Sequence, residues 1–429
     1  MSTSVPDAPA AGATPTPTTS GATPDHGTQP TPGRKREGEP SLAQRLLGGS
    51  WLVSILAVVV ALLVGVVLIA IANASEVART AGYFFSRPGD LLSTLFGPYV
   101  AMLRGSVFDW QASSTLRMWR PITETLTNAV PLIFAGLGVG VGFRAGLFNI
   151  GAQGQVILGA IFGSWVGFAW DLPIGLHLLL AVLGAALGGA LWAGIAGVLK
   201  ARTGANEVIV TIMLNSIAGL LIAYVLTLKP VIGEGNTNPK SLHVMDSATY
   251  PALLGPAFRL NLSFILALLA ALAVWWLLER SSLGFEFRAT GLNPQAARTA
   301  GISVGKVTIL VMLVSGALCG LAGSAPVLGT DRYLTSGVAA SYGFDAITVA
   351  LLGKSRPGGT VLAGILFGAL NAGGTLMQTA TQTPIDIVQV IQSVIVLFIA
   401  APPLVRAMFH LPEPAPRRRA SRSTKEAQA

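Results

Sequence analysis

A chain of 429 residues that is 52% hydrophobic and only 11% charged cannot cover a water-exposed surface, because a soluble domain carries roughly 25% charged residues. Lipid is the solvent that such a surface suits, which argues against a soluble enzyme or binding module. The net charge of +9 falls in short clusters between apolar runs, as cytoplasmic flanks of membrane spans do and a nucleic-acid face does not, and the single Cys319 allows neither a disulfide framework nor a thiolate metal site within one chain.

Residues 1–45 are rich in Pro, Thr, Ala, Gly and Ser and end in Arg34, Lys35, Arg36 and Arg45. With almost no large apolar side chain they cannot offset their ordering entropy, so a disordered cytoplasmic tail with a basic end is expected. The uncharged run 51–71 is long enough to cross the hydrocarbon core. Ala72-Asn73-Ala74 resembles a signal-peptide cleavage site, but the run and the tail before it are too long for one, and an uncleaved first span is the preferred reading. Residues 73–120 are mixed. Their one apolar stretch, 91–103, is too short to span and predicts an external or interfacial helix.

Further spans are expected at 122–143, 153–170, 174–199, 207–228, 261–278, 306–325, 343–353, 360–380 and 384–405. The eighth of the ten, 343–353, reads as a half-span or a re-entrant piece. Ten crossings put both termini on one side, and the loops then expected inside carry Arg144, Lys200, Arg202, Arg280, Arg288, Arg298, Lys306, Lys354 and Arg356, as the positive-inside rule requires. The fold expected is all-α, a polytopic membrane helix bundle of about ten spans. It comprises a transmembrane domain over 46–407, an internal cytoplasmic loop at 280–305 and a basic cytoplasmic tail at 408–429. Residues 154–163 and 359–368 share the pattern G-x-V-x-x-G-x-x-F-G. Two repeated halves and chance in a Gly-rich chain both explain this match.

Polar residues at membrane depth face protein or water. Three stripes occur: Glu207, Thr211 and Asn215 on the fifth span, Asn371, Thr375, Gln378 and Gln382 on the ninth, and Asp386, Gln389 and Gln392 on the tenth. Each follows a helical spacing. Together they suggest a hydrophilic translocation path, although any one residue is as well explained by helix-to-helix hydrogen bonding. The chain carries no phosphate-cradling loop, since Gly305-Lys306 and Gly353-Lys354-Ser355 both lack the upstream glycine. No metal-ligand pattern and no catalytic constellation is visible. The expectation is therefore a chain that is not an enzyme, holds no cofactor and does not hydrolyse ATP itself, so that any energy for transport comes from a separate subunit or from an ion gradient.

Two segments carry a family resemblance: Gly146-Leu-Phe-Asn-Ile-Gly-Ala-Gln-Gly-Gln155, and Gly291-Leu-Asn-Pro-Gln-Ala-Ala-Arg-Thr-Ala-Gly301. With Asn206 to Asn215, they resemble permeases of the ABC importers for ribose-type sugars, branched-chain amino acids and nucleosides. The asparagine-glutamate opening of the fifth span and the long external segments are most similar to the nucleoside (basic membrane protein-associated) branch. The resemblance covers about residues 50–405. It implies a bacterial plasma-membrane protein working with two ABC ATPase domains or subunits, a second related permease and an extracytoplasmic solute-binding lipoprotein that docks on 73–120 and 229–258. A heterodimer of permeases is preferred to a homodimer.

The second segment resembles the cytoplasmic coupling element of these permeases. Asn293-Pro294 suits a helix start and Gly301 an end. Ala296, Ala297 and Ala300 would offer a smooth face, with Arg288, Gly291 and Arg298 completing the segment. In the first, Asn149, Gln153 and Gln155 would lie near the path with Asn206, Glu207, Thr211, Asn215, Asn371, Thr375 and Gln378. The family usually has Glu where this chain has Gln153, which removes a charge there. Nucleosides are the solute expected. A simple sugar, a branched-chain amino acid, or a stand-alone secondary transporter are the alternatives.

Overall fold

A computed structural model describes residues 50–82, 85–401, 404 and 407–409. The tail 1–45 and the region after 409 lie outside the described residues. The described chain is mainly helical, and its only extended pairings among the described residues are two isolated bridges, Lys240 with Thr335 and Ala252 with Asn261.

Fourteen helices matter here. α1 (Ser50–Ala72) meets α2 (Ala74–Gly82) at a bend of 88°, and α3 spans Pro88–Ser106. Then come α4 (Thr115–Arg144), α5 (Ala152–Ala169), α6 (Leu176–Thr203), α7 (Glu207–Val225) and α8 (Ser263–Arg280). Two short helices, α9 (Ser282–Leu292) and α10 (Pro294–Thr299), lead to α11 (Val304–Ala325), α12 (Tyr342–Leu352), α13 (Pro357–Thr381) and α14 (Asp386–Ala400). Seven are long and apolar enough to cross a membrane: α4 to α8, α11 with the π-helical turn that extends it to Thr330, and α13. The other three expected spans correspond to α1, which with α2 forms a bent eighth candidate, and to the shorter apolar helices α12 and α14, so the bundle is roughly consistent with about ten spans.

Glycine sets the centre of the bundle. A Cβ on Gly320 of α11 would stand 2.2 Å from Ala185 O of α6, and one on Gly159 of α5 would stand 2.3 Å from Gly320 O. At Gly189 the gap to Gly316 O would be 2.2 Å. In lipid no hydrophobic drive pulls helices together, so close backbone approach at small residues does that work. α4 lies against the other side of α11, where Ser315 Oγ donates to Gly138 O at 2.7 Å.

Two expectations are refined. The apolar stretch 91–103 is the middle of a 19-residue helix, which at 1.5 Å per residue is about 28 Å long. α3 is packed along α13 through Pro98, Ala101, Met102 and Gly105. Tyr99 Oη ties it to α1 by donating to Leu62 O at 2.7 Å. Its other face, Leu92, Phe96, Val100 and Leu103, is exposed and apolar, and α3 is not among the helices apolar enough to cross a membrane, which agrees with an interfacial helix that is longer than expected and packed on the bundle. On the ninth span, Gln382 is the residue after α13, with φ 55°, so the helical stripe ends at Gln378 and does not include Gln382.

Opposite the end bearing α10, the loop 226–262 lies across 328–335. Ser241, Val244 and Tyr250 donate backbone hydrogen bonds to Leu334, Arg332 and Leu328 at 3.0, 2.9 and 2.8 Å. Tyr250 Oη shares a 2.8 Å hydrogen bond with Ser324 Oγ, and burial pushes its phenol well above the ordinary tyrosine range.

Candidate functional site

The segment 146–151 turns back into the bundle without helix. Gly146, at φ 71°, makes the turn, and Leu147 N donates to Gly142 O at 2.9 Å. Asn149 is fully buried and forms a reciprocal amide pair with Gln155, 2.9 Å one way and 2.8 Å the other. Asn149 Nδ2 also donates to Ser315 Oγ at 2.8 Å, and its Oδ1 accepts from Gly151 N at 3.0 Å. Irregular backbone at this depth survives only where protein satisfies it, and this amide pair supplies that.

The α7 stripe faces the same segment. Asn215 Nδ2 donates to Ile150 O and its Oδ1 accepts from Gly154 N, both at 2.8 Å. Thr211 Oγ1 donates to Glu207 O at 2.7 Å, and Glu207 pairs with Lys200 at 2.5 Å. Asn206 caps the helix by accepting from Val208 N at 2.9 Å. Asn149, Gln155, Thr211 and Asn215 thus belong to one polar seam joining α5, α7 and α11. The opposite face of α7 is apolar and exposed, with Ile209, Met213, Ile217 and Leu220 on it.

Asn371, Thr375 and Gln378 stand elsewhere, on the α3–α4–α13 side. Asn371 Oδ1 accepts from Gln392 Nε2 of α14 at 3.0 Å, which joins the ninth and tenth stripes. Thr375 and Gln378 are exposed. Thr375 lines an open cavity of about 740 Å³ with Glu124, Asn128, Arg120, Arg259 and Thr379. Arg259 reaches Glu124 at 3.4 Å and Asp331 at 3.9 Å. It also lines a smaller cavity of about 80 Å³ with Asn128, Asn261 and Tyr342. Sequence reasoning missed Glu124, Asn128 and Arg259. The signal available was Glu124 and Asn128 one helical turn apart at the start of the second span.

At the opposite end, the helix start at Asn293 forms as expected: Oδ1 accepts from Gln295 N and Ala296 N at 3.0 and 3.1 Å, with Pro294 in the first turn. Gly301, at φ 85°, follows the helix. The alanine face divides. Ala296, Ala300 and Arg298 are exposed, while Ala297 is 4% exposed and turned inward. Arg288 also points to its own chain: its guanidinium lies 3.7 Å from Glu279 Oε2, and Glu279 is paired with Arg144 as well. Gly291 packs on the 144–146 turn, where a Cβ would stand 2.7 Å from Arg144 O. The α9–α10 segment is therefore fastened to the mouth of the 146–155 motif by a glycine contact and a three-residue charge cluster. Arg144 and Glu279, which sequence reasoning did not assign to this site, form two of its three members.

Known proteins carry the same pattern. The family described as the branched-chain amino acid transport system / permease component matches residues 122–400. The guanosine ABC transporter permease protein NupP of Bacillus subtilis (strain 168) is 41% identical over 288 residues, covering 66% of this chain and 82% of the relative. The glucose ABC transporter permease protein TsgB13 of Haloferax volcanii is 38% identical, covering 65% of this chain and 75% of the relative. The nucleoside ABC transporter permease protein NupB of Lactococcus lactis subsp. cremoris is 34% identical, covering 69% and 83%. No solved structure matches. With a multi-pass helix bundle and a family match across both motif segments, the chain belongs to the branched-chain amino acid transport system / permease component family and is a membrane-spanning permease subunit of the ABC importer class.

Proposed function

We propose that this permease carries nucleosides across a bacterial plasma membrane, with both termini in the cytoplasm. The observation that carries the solute is the 41% identity to a guanosine permease over 82% of that protein's length, joined by a nucleoside permease at 34%. The open cavity beside Thr375 holds amide, hydroxyl, guanidinium and carboxylate groups together, which suits a neutral, many-handed polar solute. A simple sugar is the second reading, favoured by the glucose permease at 38%.

In this reading Asn371, Thr375 and Gln378 line the path, and the buried seam of Asn149, Gln155, Thr211 and Asn215 shapes it. Asn206 and Glu207 fix the start of α7 beside it. Two ATPase domains or subunits hydrolyse ATP and push on α10 through Asn293, Pro294, Ala296, Arg298 and the following Gly301. Gly291 and Arg288 pass that push to the 144–146 turn. The bundle then switches between two packings whose balance the ATPase sets. A solute-binding lipoprotein delivers the nucleoside. A second guanosine permease protein of the same Bacillus subtilis strain, NupQ, is 28% identical to this chain, which supports pairing with a related but different permease.

Uptake of labelled guanosine, adenosine, uridine, glucose and leucine by cells with and without this chain tests the solute. Nucleoside uptake should fall at least tenfold on deletion and return with the gene. Loss of glucose or leucine uptake alone would overturn the nucleoside assignment and leave the permease class standing.

A further inference from the structure

The helix of the eighth apolar segment begins only at Tyr342, and the backbone before it is largely irregular. This backbone runs close against α5: a Cβ on Gly343 would stand 2.1 Å from Gln153 N. Ala340, at φ 38°, occupies the left-handed region that non-glycine residues seldom adopt. Such a turn within a membrane bundle needs partners for its polar groups.

One side chain supplies two. Gln153 Nε2 donates to Ala340 O at 2.7 Å, and Gln153 Oε1 accepts from Gly343 N at 2.9 Å. The Gly343 N–H is one of the first donors of α12, which have no partner within the helix. An ionised carboxylate accepts only and an ammonium donates only, so the neutral amide meets both demands at any pH, whereas the Glu usual in the family meets them only when protonated. Beyond the pin, α12 packs against α4, α13 and α14. Gln153 therefore ties the buried seam of α5 and α7 to the α13–α14 side, where the second group of polar residues lies.

We propose that Gln153 is a positioning residue that pins the leading turn of the broken span to α5, and that its amide makes this pin independent of pH. Only the effect on uptake rests on the nucleoside-importer reading. The pin itself is a property of the chain.

Gln153→Glu converts the pin into a titratable one. The protonated acid has one donor and one acceptor and restores both hydrogen bonds. The ionised acid keeps the bond from Gly343 and sets a negative oxygen against the Ala340 carbonyl. The variant pin therefore holds at low pH and is lost as pH rises through the titration of the introduced carboxyl. Other titratable groups on elements packed against α5 are Asp345 and Tyr342 of α12, Glu207 of α7, His177, Lys200 and Arg202 of α6, Arg144 of α4, Lys306 of α11, and Asp331 beyond it. Asp345 accepts from Ser341, Glu207 pairs with Lys200, and His177 contacts Val166 O and Ser247. All of them are present in the unaltered chain as well, so the variant-to-wild-type ratio isolates residue 153.

The test measures ATP-driven guanosine uptake by the reconstituted transporter, and thermal unfolding of the purified chain, each across about pH 5 to 8, a range that brackets a carboxyl shifted by partial burial. The Gln153→Glu to wild-type uptake ratio should fall by about two- to tenfold from the acid to the alkaline end, the net worth of the one hydrogen bond lost, that to Ala340 O. The melting temperature of the variant should fall with pH relative to wild type. Gln153→Met, which can make neither bond, should be low at every pH. A ratio and a melting difference that stay constant across the range would overturn the pin. If the wild-type transporter takes up no nucleoside, the solute reading fails, and the melting profile still decides the pin.

Discussion

Ala296 and Ala297 are adjacent residues of one kind with opposite surroundings. Ala296 is exposed on α10, and Ala297 is buried beneath it toward α11. Ala296→Trp should abolish solute-stimulated ATP hydrolysis in the assembled transporter while the chain melts as before. Ala297→Asp should instead lower the stability of the chain itself by on the order of 3 kcal/mol, because a charge would be buried without a partner. Melting curves beside ATPase assays separate the two. The Asn293 cap was legible because its residue type and the following proline fix a local geometry. Which alanine faces outward was not legible, since a six-residue helix with three alanines around its end offers no polar contrast to set its orientation. For the same reason Asn149 and Gln155 could be placed at the motif, but only the packing against Ser315 shows that their amides are spent on each other.

At the scale of elements, the contact between α5, α6 and α11 depends on backbone meeting backbone. Gly320→Val should destabilise the chain by about 1–3 kcal/mol, because the added methyls meet main-chain atoms that have no rotamer to yield. Gly219 on the open face of α7 has nothing within 4 Å of an added Cβ, and Gly219→Ala should stay within about 0.5 kcal/mol. Chemical or thermal denaturation of the two variants in one detergent measures the difference. Most helices were legible because uninterrupted apolar runs fix their length, and α12 was legible as a short piece for the same reason. α3 was legible as a helix that does not qualify as a span, because Pro88, Asp90 and Arg104 interrupt its hydropathy; its full length and its packing along α13 were not legible. Arg104 is neutralised by Asp109 at 2.7 Å, a pairing across a loop that no run of hydropathy displays.

For the whole molecule, two polar regions lie in different parts of one bundle. The α5–α7–α11 seam is closed and internally satisfied. The cavity at α4 and α13 is open and polar, and the exposed Thr375, Gln378, Gln389 and Ser393 of α13 and α14 extend that polarity along the surface. Exposed polar groups on spanning helices are costly in lipid, so this face should meet water or a second permease. The α9–α10 segment is anchored beside the seam by the Arg144–Glu279–Arg288 cluster, and under the proposed function a push on α10 would reach the bundle by that route. The most direct measurement is ATP hydrolysis by the full assembly in proteoliposomes: this chain, its paired permease, the ATPase and the solute-binding lipoprotein. The importer reading predicts that guanosine-loaded binding protein raises hydrolysis and guanosine accumulates inside, and that Ala296→Trp removes both effects. Equilibration of guanosine by this chain alone, with no ATPase retained on purification and no dependence on ATP, would contradict it.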